Sequence, residues 1–253
     1  MERDAGAGSG RFRGDTLNTP LPRALAFDVF GTVVDWRSSV ARAVAPVLAA
    51  AGHGDVDAAG FTDAWRARYV AGMRAHGKSA RGFVKLDILH REMLDDLLAE
   101  AGIALADGDR AALVLAWHRL DPWPDSVTGL TRLKRRFPIV TCSNGHVALL
   151  VTMARHAGLP WDAILGAEIA GTYKPAPLAY QATAAALDIA PGELCLVAAH
   201  HGDLAAARAA GLQTAFVHRP LEYGGAPAPD LAYAADWEFR AASLTDLADC
   251  LGC

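Results

Sequence analysis

The stretch ELCLVAAHHGDLAAARAAGLQTAFVHR, residues 193–219, holds a complete strand–helix–strand unit. Its two apolar runs, ELCLVAA and QTAFV, are short and show no polar face, which suits strands buried on both sides of a parallel sheet. Between them Leu204–Ala210 reads as a helix, with Gly211 as its stop. Similar runs occur in ALAFD (24–28) and PIVTCSN (138–144), and a weaker one in DWEFRA (236–241). Helical patterns separate them: Ser126–Phe137, with Val127, Leu130, Leu133 and Phe137 on one face; Val147–His156; Pro175–Leu187, with Pro at its first turn; and Ser243–Leu251. Strand and helix alternate. The sequence therefore predicts an α/β fold with a doubly wound, mainly parallel sheet, a Rossmann-like core.

The alternation stops between residue 38 and about residue 120, where no strand is evident. Phe61, Trp65, Tyr69 and Met73 fall four apart on one helical stripe. Leu86, Leu89, Met93 and Leu97 form another, widened by Ile88, Leu94 and Leu98. Asp109–Trp117 and Ser38–Ala51 complete four helices, the latter bent or started late around Pro46. DPWPD (121–125) reads as the return linker. The expected organisation is a disordered tail over 1–22, a core made of 23–37 and 122–253, and an inserted helical cap over 38–121 that closes on the carboxyl edge of the sheet.

Composition narrows the partners. The 253 residues are 52% apolar and 21% charged, with a formal charge of −4. That balance gives no general attraction to nucleic acid or to an anionic membrane. No apolar run spans a bilayer, and the first residues lack the apolar segment of a secretory signal, so the cytoplasm is the expected location. The four cysteines make no disulfide framework. Cys142 and Cys195 read as core thiols, and Cys250-x-x-Cys253 has no redox context.

Ligands of open α/β sheets bind at the carboxyl ends of the strands. The polar residues that end these runs are Asp28, then Ser143 and Asn144, then His200, His201 and Asp203, with Lys174 before a proline-started helix. Each alone suits a turn, a loop or a helix cap. Together they gather a nucleophile, hydroxyl and amide donors, a cation and a second acid at one edge.

Asp28-Val29-Phe30-Gly31-Thr32, Thr141-Cys142-Ser143-Asn144, Lys174-Pro175 and Asp203 resemble, in order and spacing, the four motifs of the haloacid dehalogenase superfamily. The match runs from about Leu25 to the C-terminus. Phosphatases of that superfamily carry a second Asp, used as an acid and at the magnesium site, where this chain has Phe30. An aromatic residue there resembles the L-2-haloacid dehalogenases, which need no metal. The continuation Thr32-Val33-Val34-Asp35-Trp36-Arg37, the pair Trp65-Arg66, and Tyr180 six residues after Lys174 resemble that branch too. One stretch departs. Better-known members have Ser-Ser-Asn-x-Trp-Asp where this chain has Ala198-Ala199-His200-His201-Gly202-Asp203, a form that looks like a haloacetate-processing, partly defluorinating sub-branch.

The resemblance implies a hydrolytic dehalogenase of small 2-haloalkanoic acids, haloacetates or (S)-2-haloacids, that works through an ester on Asp28. In that reading Lys174 keeps Asp28 ionised. Thr32, Ser143 and backbone amides near Phe30 hold the substrate carboxylate or the ester oxyanion. Asp203 orients Lys174 and activates water together with His200. Arg66 and Asn144 donate to the halide, Phe30 dries the pocket, and Tyr180 belongs to the binding set. No metal and no cofactor are implied; the partners are a halocarboxylate and water, and a homodimer is compatible with them. Two alternatives stay open, a magnesium-dependent phosphatase of the same superfamily and a catalytically silent carboxylate-binding protein. A metal site at His200, His201 and Asp203 is a third, opposed by the divergence expected of adjacent histidines.

Overall fold

The chain, in a computed structural model that describes residues 20–77, 82–229 and 236–253, enters the sheet on β1 (Ala24–Phe27) and passes β2 (Val34–Asp35). Four helices follow: α1 (Trp36–Ala50), α2 (Ala58–Gly77), α3 (Leu86–Ala101) and α4 (Asp107–Ala116). It returns through β3 (Asp121–Pro122) and α5 (Ser126–Lys134) to β4 (Ile139–Thr141). Then come α6 (Val147–Ala157), α7 (Ala167–Ala170), α8 (Pro177–Ala185), β5 (Leu194–Ala198) and α9 (His201–Ala209). β6 (Gln213–Val217), β7 (Phe239–Ala241) and α10 (Leu244–Cys250) close the chain. The tail expected over 1–22 lies outside the described residues as far as residue 19.

The main sheet has the order β4-β1-β5-β6-β7, and all its pairings are parallel. Leu25 pairs with Ile139 on one side and Cys195 on the other. Strand order reverses at β1, so a crevice opens between the carboxyl ends of β1, β4 and β5. Alternation along β1 sends Leu25 and Phe27 into one apolar cluster and Ala24 and Ala26 into the other. Burying a Leu or Phe side chain fully is worth roughly 1.5–3 kcal/mol, and both Leu25 and Phe27 are fully buried.

β2 and β3 pair antiparallel, and the four cap helices lie between them in sequence. Asp35 caps α1 by accepting from the Ser38 amide, so the helix begins at Trp36 and runs past Pro46 without ending there. The α2 stripe Phe61, Trp65, Tyr69 and Met73 is buried as expected, and Trp36, Trp65 and Trp117 form the centre of the cap. Trp36 and Trp117 stack at 6.3 Å, and Trp65 meets Trp117 edge-on at 5.5 Å.

Several expected boundaries and faces shift. Ile88 is exposed, because its flank of α3 turns outward while His90 packs against Trp117. α8 begins at Pro177 rather than Pro175: Ala176, preceding a proline, is held extended. α9 begins at His201, which puts Asp203 in its first turn. Val127 is exposed, and α5 instead buries Ser126, Gly129, Leu130 and Leu133. Gly129 sets that rotation, since a Cβ there would lie 2.5 Å from Leu244 Cβ on α10.

The rotation of α5 can be read from stability. Leu130→Ala should cost about 2–5 kcal/mol and Val127→Ala no more than about 0.5 kcal/mol in denaturant unfolding. Equal losses would show that the wrong face of α5 has been placed inward.

Candidate active site

β1 ends at Phe27, and the Asp28 amide donates to the Val197 carbonyl at 3.0 Å, which fixes the carboxylate at the crevice mouth. The side chain is 7% exposed as part of its residue, so its charge must be met by protein groups. Lys174 Nζ donates to Oδ1 at 2.8 Å. Thr32 Oγ1 donates to Oδ2 at 2.8 Å, and His200 Nδ1 lies 3.1 Å from the same oxygen. Burial alone would push the Asp28 carboxyl up, but Lys174 and His200 hold it far below the ordinary carboxylate range. It is ionised at neutral pH.

The cations continue the row. Lys174 Nζ also donates to Asp203 Oδ2, whose other oxygen accepts from Tyr180 Oη at 2.6 Å. Burial disfavours the Lys174 charge, yet Asp203 and Asp28 outweigh it and raise the ammonium well above its usual range. His200 Nε2 lies 2.9 and 3.1 Å from the two oxygens of Glu222, which also accepts from Trp36 Nε1 at 3.0 Å. Burial again opposes the charge, and Glu222 and Asp28 together raise His200 well above its usual value. With both ring nitrogens facing carboxylates, His200 is an imidazolium donating to each. The row therefore reads Glu222, His200, Asp28, Lys174, Asp203, alternating in sign.

Most of the predicted site residues meet here, some in altered places. Thr32 accepts from the Ala199 amide at 2.9 Å while it donates to Asp28, so its hydroxyl proton is spent on the Asp28 carboxylate and not on a substrate. The amides of Gly31, Val33 and Val34 are used inside the turn. Ser143 Oγ accepts from the Gly145 amide at 3.1 Å. Asn144 Oδ1 accepts from the Lys174 amide at 2.7 Å, which anchors the Lys174 loop. Tyr180 is fully buried behind Asp203 in the second apolar cluster, so it supports the acid and does not line the binding space. Asp203 serves Lys174 and Tyr180 from the first turn of α9, and His200, at the N-cap position, makes no side-chain cap hydrogen bond. His200 engages Asp28 and Glu222, not Asp203. His201 turns away, accepting from Trp237 Nε1 at 2.9 Å and stacking on Phe216, so the histidines diverge as expected. Cys142 is buried and its thiol is pushed up to about 11 by that burial, as suits a core residue.

The cap supplies the wall. Phe30 meets Trp117 edge-on at 6.2 Å. The Arg66 guanidinium lies 4.3 Å from the Tyr69 ring centre, 5.3 Å from Trp36 and 5.9 Å from Phe30. Its Nη1 is buried with no hydrogen-bond partner among the described residues. A buried guanidinium donor left so is suited to an anion. Burial pushes the Tyr69 hydroxyl up, against the pull of the nearby Arg66 charge.

Three residues of the site escaped sequence reasoning: Glu222, Trp36 and Tyr69. Tyr69 reads as one member of the α2 stripe, and Trp36 enters only as part of the family-like continuation over 32–37, with no role assigned to it. Glu222 sits in a Pro- and Gly-containing loop that reads as solvated, and no local signal marks it. The close approach explains Gly31: at φ +86°, a Cβ there would fall 2.1 Å from Glu222 Oε1.

Comparison with known proteins shows what the whole chain is similar to. A family model for haloacid dehalogenase-like hydrolases matches residues 22–211. The crystal structure of the defluorinating L-2-haloacid dehalogenase Rha0230 is 49% identical, covering 96% of this chain and 100% of its own, with a TM-score of 0.88. That of the L-2-haloacid dehalogenase PA0810 is 44% identical, covering 91% and 99%, with a TM-score of 0.82. The (S)-2-haloacid dehalogenase 4A of Burkholderia cepacia is 30% identical over 213 residues, 81% of this chain and 88% of the relative.

The charge row has a pH signature. His200 has a folded-state pKa raised above its unfolded value, so its stabilisation is complete below about pH 6.5 and fades as pH rises through the raised folded value. The stability difference between the wild type and His200→Gln should accordingly shrink toward alkaline pH. In wild type, ring nitrogen NMR should find His200 doubly protonated from pH 6 to 8, whereas Glu222→Gln should titrate it at lower pH. A neutral His200 at pH 7 in the wild type would contradict the assigned row.

Proposed function

The chain belongs to the haloacid dehalogenase-like hydrolases, and from that membership we propose that it hydrolyses the carbon–halogen bond of small 2-haloalkanoic acids through an ester on Asp28. Its similarity to L-2-haloacid dehalogenases along nearly the whole chain makes it a 2-haloacid dehalogenase, a hydrolase of carbon–halide bonds. The observation that carries the mechanism is the state of Asp28. It is a buried, ionised carboxylate whose Oδ2 accepts two hydrogen bonds while Oδ1 accepts one, from Lys174. Oδ1 is therefore the better nucleophile.

In the first half-reaction Oδ1 attacks C2 opposite the halogen, the C–O bond forms, and the halide leaves with the bonding electrons. Arg66, caged by Phe30, Trp36 and Tyr69, receives the substrate's negative charges on the cap side, and Ser143 Oγ donates to the substrate carboxylate. In the second half-reaction water attacks the ester carbonyl carbon, and negative charge develops on Oδ2, where Thr32 and the His200 imidazolium already donate. Asp203 takes one proton of the water, the bond from Cγ to Oδ1 breaks, and the departing alkoxide takes the water's second proton. This returns the Asp28 carboxylate and releases a 2-hydroxy acid; Asp203 then gives its proton to solvent. With Asp28 so little exposed, the cap must open to admit substrate and close to dry the site.

A phosphatase reading finds less support, because the position two residues after the nucleophile is Phe30, packed on Trp117. The similarity to a defluorinating relative, with His200 as an extra cation, favours haloacetates, fluoroacetate among them. No described helix is long and apolar enough to cross a membrane.

Two measurements test this reading. Asp28→Asn should lose on the order of 10⁴-fold or more in halide release, and a single turnover in oxygen-18 water should label Asp28 before product. Direct labelling of product would eliminate the ester. Across fluoroacetate, chloroacetate, 2-chloropropionate and phosphate esters, halide release should survive a chelator and phosphate release should be absent. Arg66→Ala should lower kcat/KM by about 10²–10³-fold; a variant matching wild type would remove Arg66 from the site.

A further inference from the structure

Outside the charge row, three side chains with metal-ligating atoms meet across the seam between the cap and the core. Asp87 stands in the first turn of α3, His118 follows α4, and His146 is the N-cap of α6 in the core. His118 Nε2 lies 3.0 Å from both Asp87 oxygens, and His146 Nε2 lies 3.5 Å from Oδ2. All three ligand atoms fall within 4.8 Å of one another.

An Asp–His hydrogen bond explains the first pair, but not the third residue. His146 is 3% exposed, and the nitrogen it turns toward the cluster, Nε2, reaches Asp87 only at the limit of a hydrogen bond. A tetrahedral ion with bonds of about 2.0–2.2 Å holds its ligand atoms about 3.3–3.6 Å apart. The 3.5 Å from His146 to Asp87 falls inside that spacing, and the 3.0 Å from His118 lies a little below it. Two imidazoles and one carboxylate suit a borderline divalent ion, and Glu168, whose charge acts on His146, adds negative potential against Lys85. The Asp87 side chain is 29% exposed, which opens a path from solvent.

We propose that Asp87, His118 and His146 form a binding site for a divalent cation of the zinc class, which ties the cap to the core. The ion exchanges three of its waters for these ligands and keeps an open position to solvent. It does not touch Asp28, so the metal-free protein retains the dehalogenase chemistry, while the loaded protein opens its cap more slowly and turns over less.

The test uses the full chain stripped of metal. Zinc at a hundredfold excess over its Kd should raise Tm by about 5–10 °C, and cobalt should give a visible d–d absorption without the near-ultraviolet thiolate band. A Cys250→Ser/Cys253→Ser double variant should behave identically, which keeps the test valid without any variant of the site having to fold. Asp87→Asn and His118→Gln should abolish both signals while the metal-free activity stays within about twofold. The proposal is overturned if zinc leaves Tm unchanged and cobalt gives no band, if the cysteine variant loses the signals, or if the site variants keep them. None of these outcomes bears on the dehalogenase reading, which rests on halide release by the metal-free protein.

Discussion

A carboxylate taken out of water must find its charge partners inside the protein, and Asp28 finds them on both sides. Removing one member of such a buried pair typically costs about 3–5 kcal/mol, because the other charge is left unmatched. Five groups share the constraint here: Glu222, His200, Asp28, Lys174 and Asp203. They come from the end of β1, the loop before α8, the end of β5 with the first turn of α9, and the loop after β6. Local structure cannot assemble groups so distant in sequence. The switch point of a parallel sheet can, since strand ends from separate parts of the chain converge there.

This dependence explains what the sequence disclosed. Buried parallel strands have no wet face, so 24–28, 138–144, 193–199 and 213–217 stand out as continuous apolar runs, and a polar residue that ends such a run has few structural reasons to be there. Asp28, Asn144, His200 and Asp203 were visible for that reason, and Lys174 by its place before a proline-started helix. The cap was legible too, because its stripes repeat every four residues and no strand interrupts them. Direction was harder to read than position: Val127 and Ile88 are apolar residues on helices whose rotation is set by neighbours, Gly129 against Leu244 in one case and Trp117 against His90 in the other.

Glu222 was illegible for a different reason. Its burial is imposed by tertiary charge balance, with the imidazolium of His200 on one side and Trp36 Nε1 on the other. A loop reading Arg219-Pro220-Leu221-Glu222-Tyr223-Gly224 carries none of that information. Tyr180 shows the converse. It was picked out by spacing, yet its hydroxyl serves Asp203 from the far side and helps aim that acid at Lys174. Thr32 likewise is spent on both Asp28 and the backbone of Ala199, which makes it the tie between the ends of β1 and β5.

The arithmetic of the row bears on the proposed reaction. Three carboxylates and two cations leave one net negative charge, which resides on Asp28 as the shared member. When Asp28 becomes an ester it turns neutral, and the groups left beside it are two balanced pairs, Glu222 with His200 and Asp203 with Lys174. The charge that Asp28 gives up appears on the halide, on the side of the cap where Arg66 has an unmatched donor. Displacement thus moves one negative charge from the row to the cap side, where Arg66 and Ser143 Oγ also meet the substrate carboxylate, and the net charge of the closed site is unchanged. In the proposed hydrolysis the oxyanion develops on Oδ2, where Thr32 and the His200 imidazolium donate, and once Asp203 has given up its proton the row returns to the single net negative charge it carries at rest.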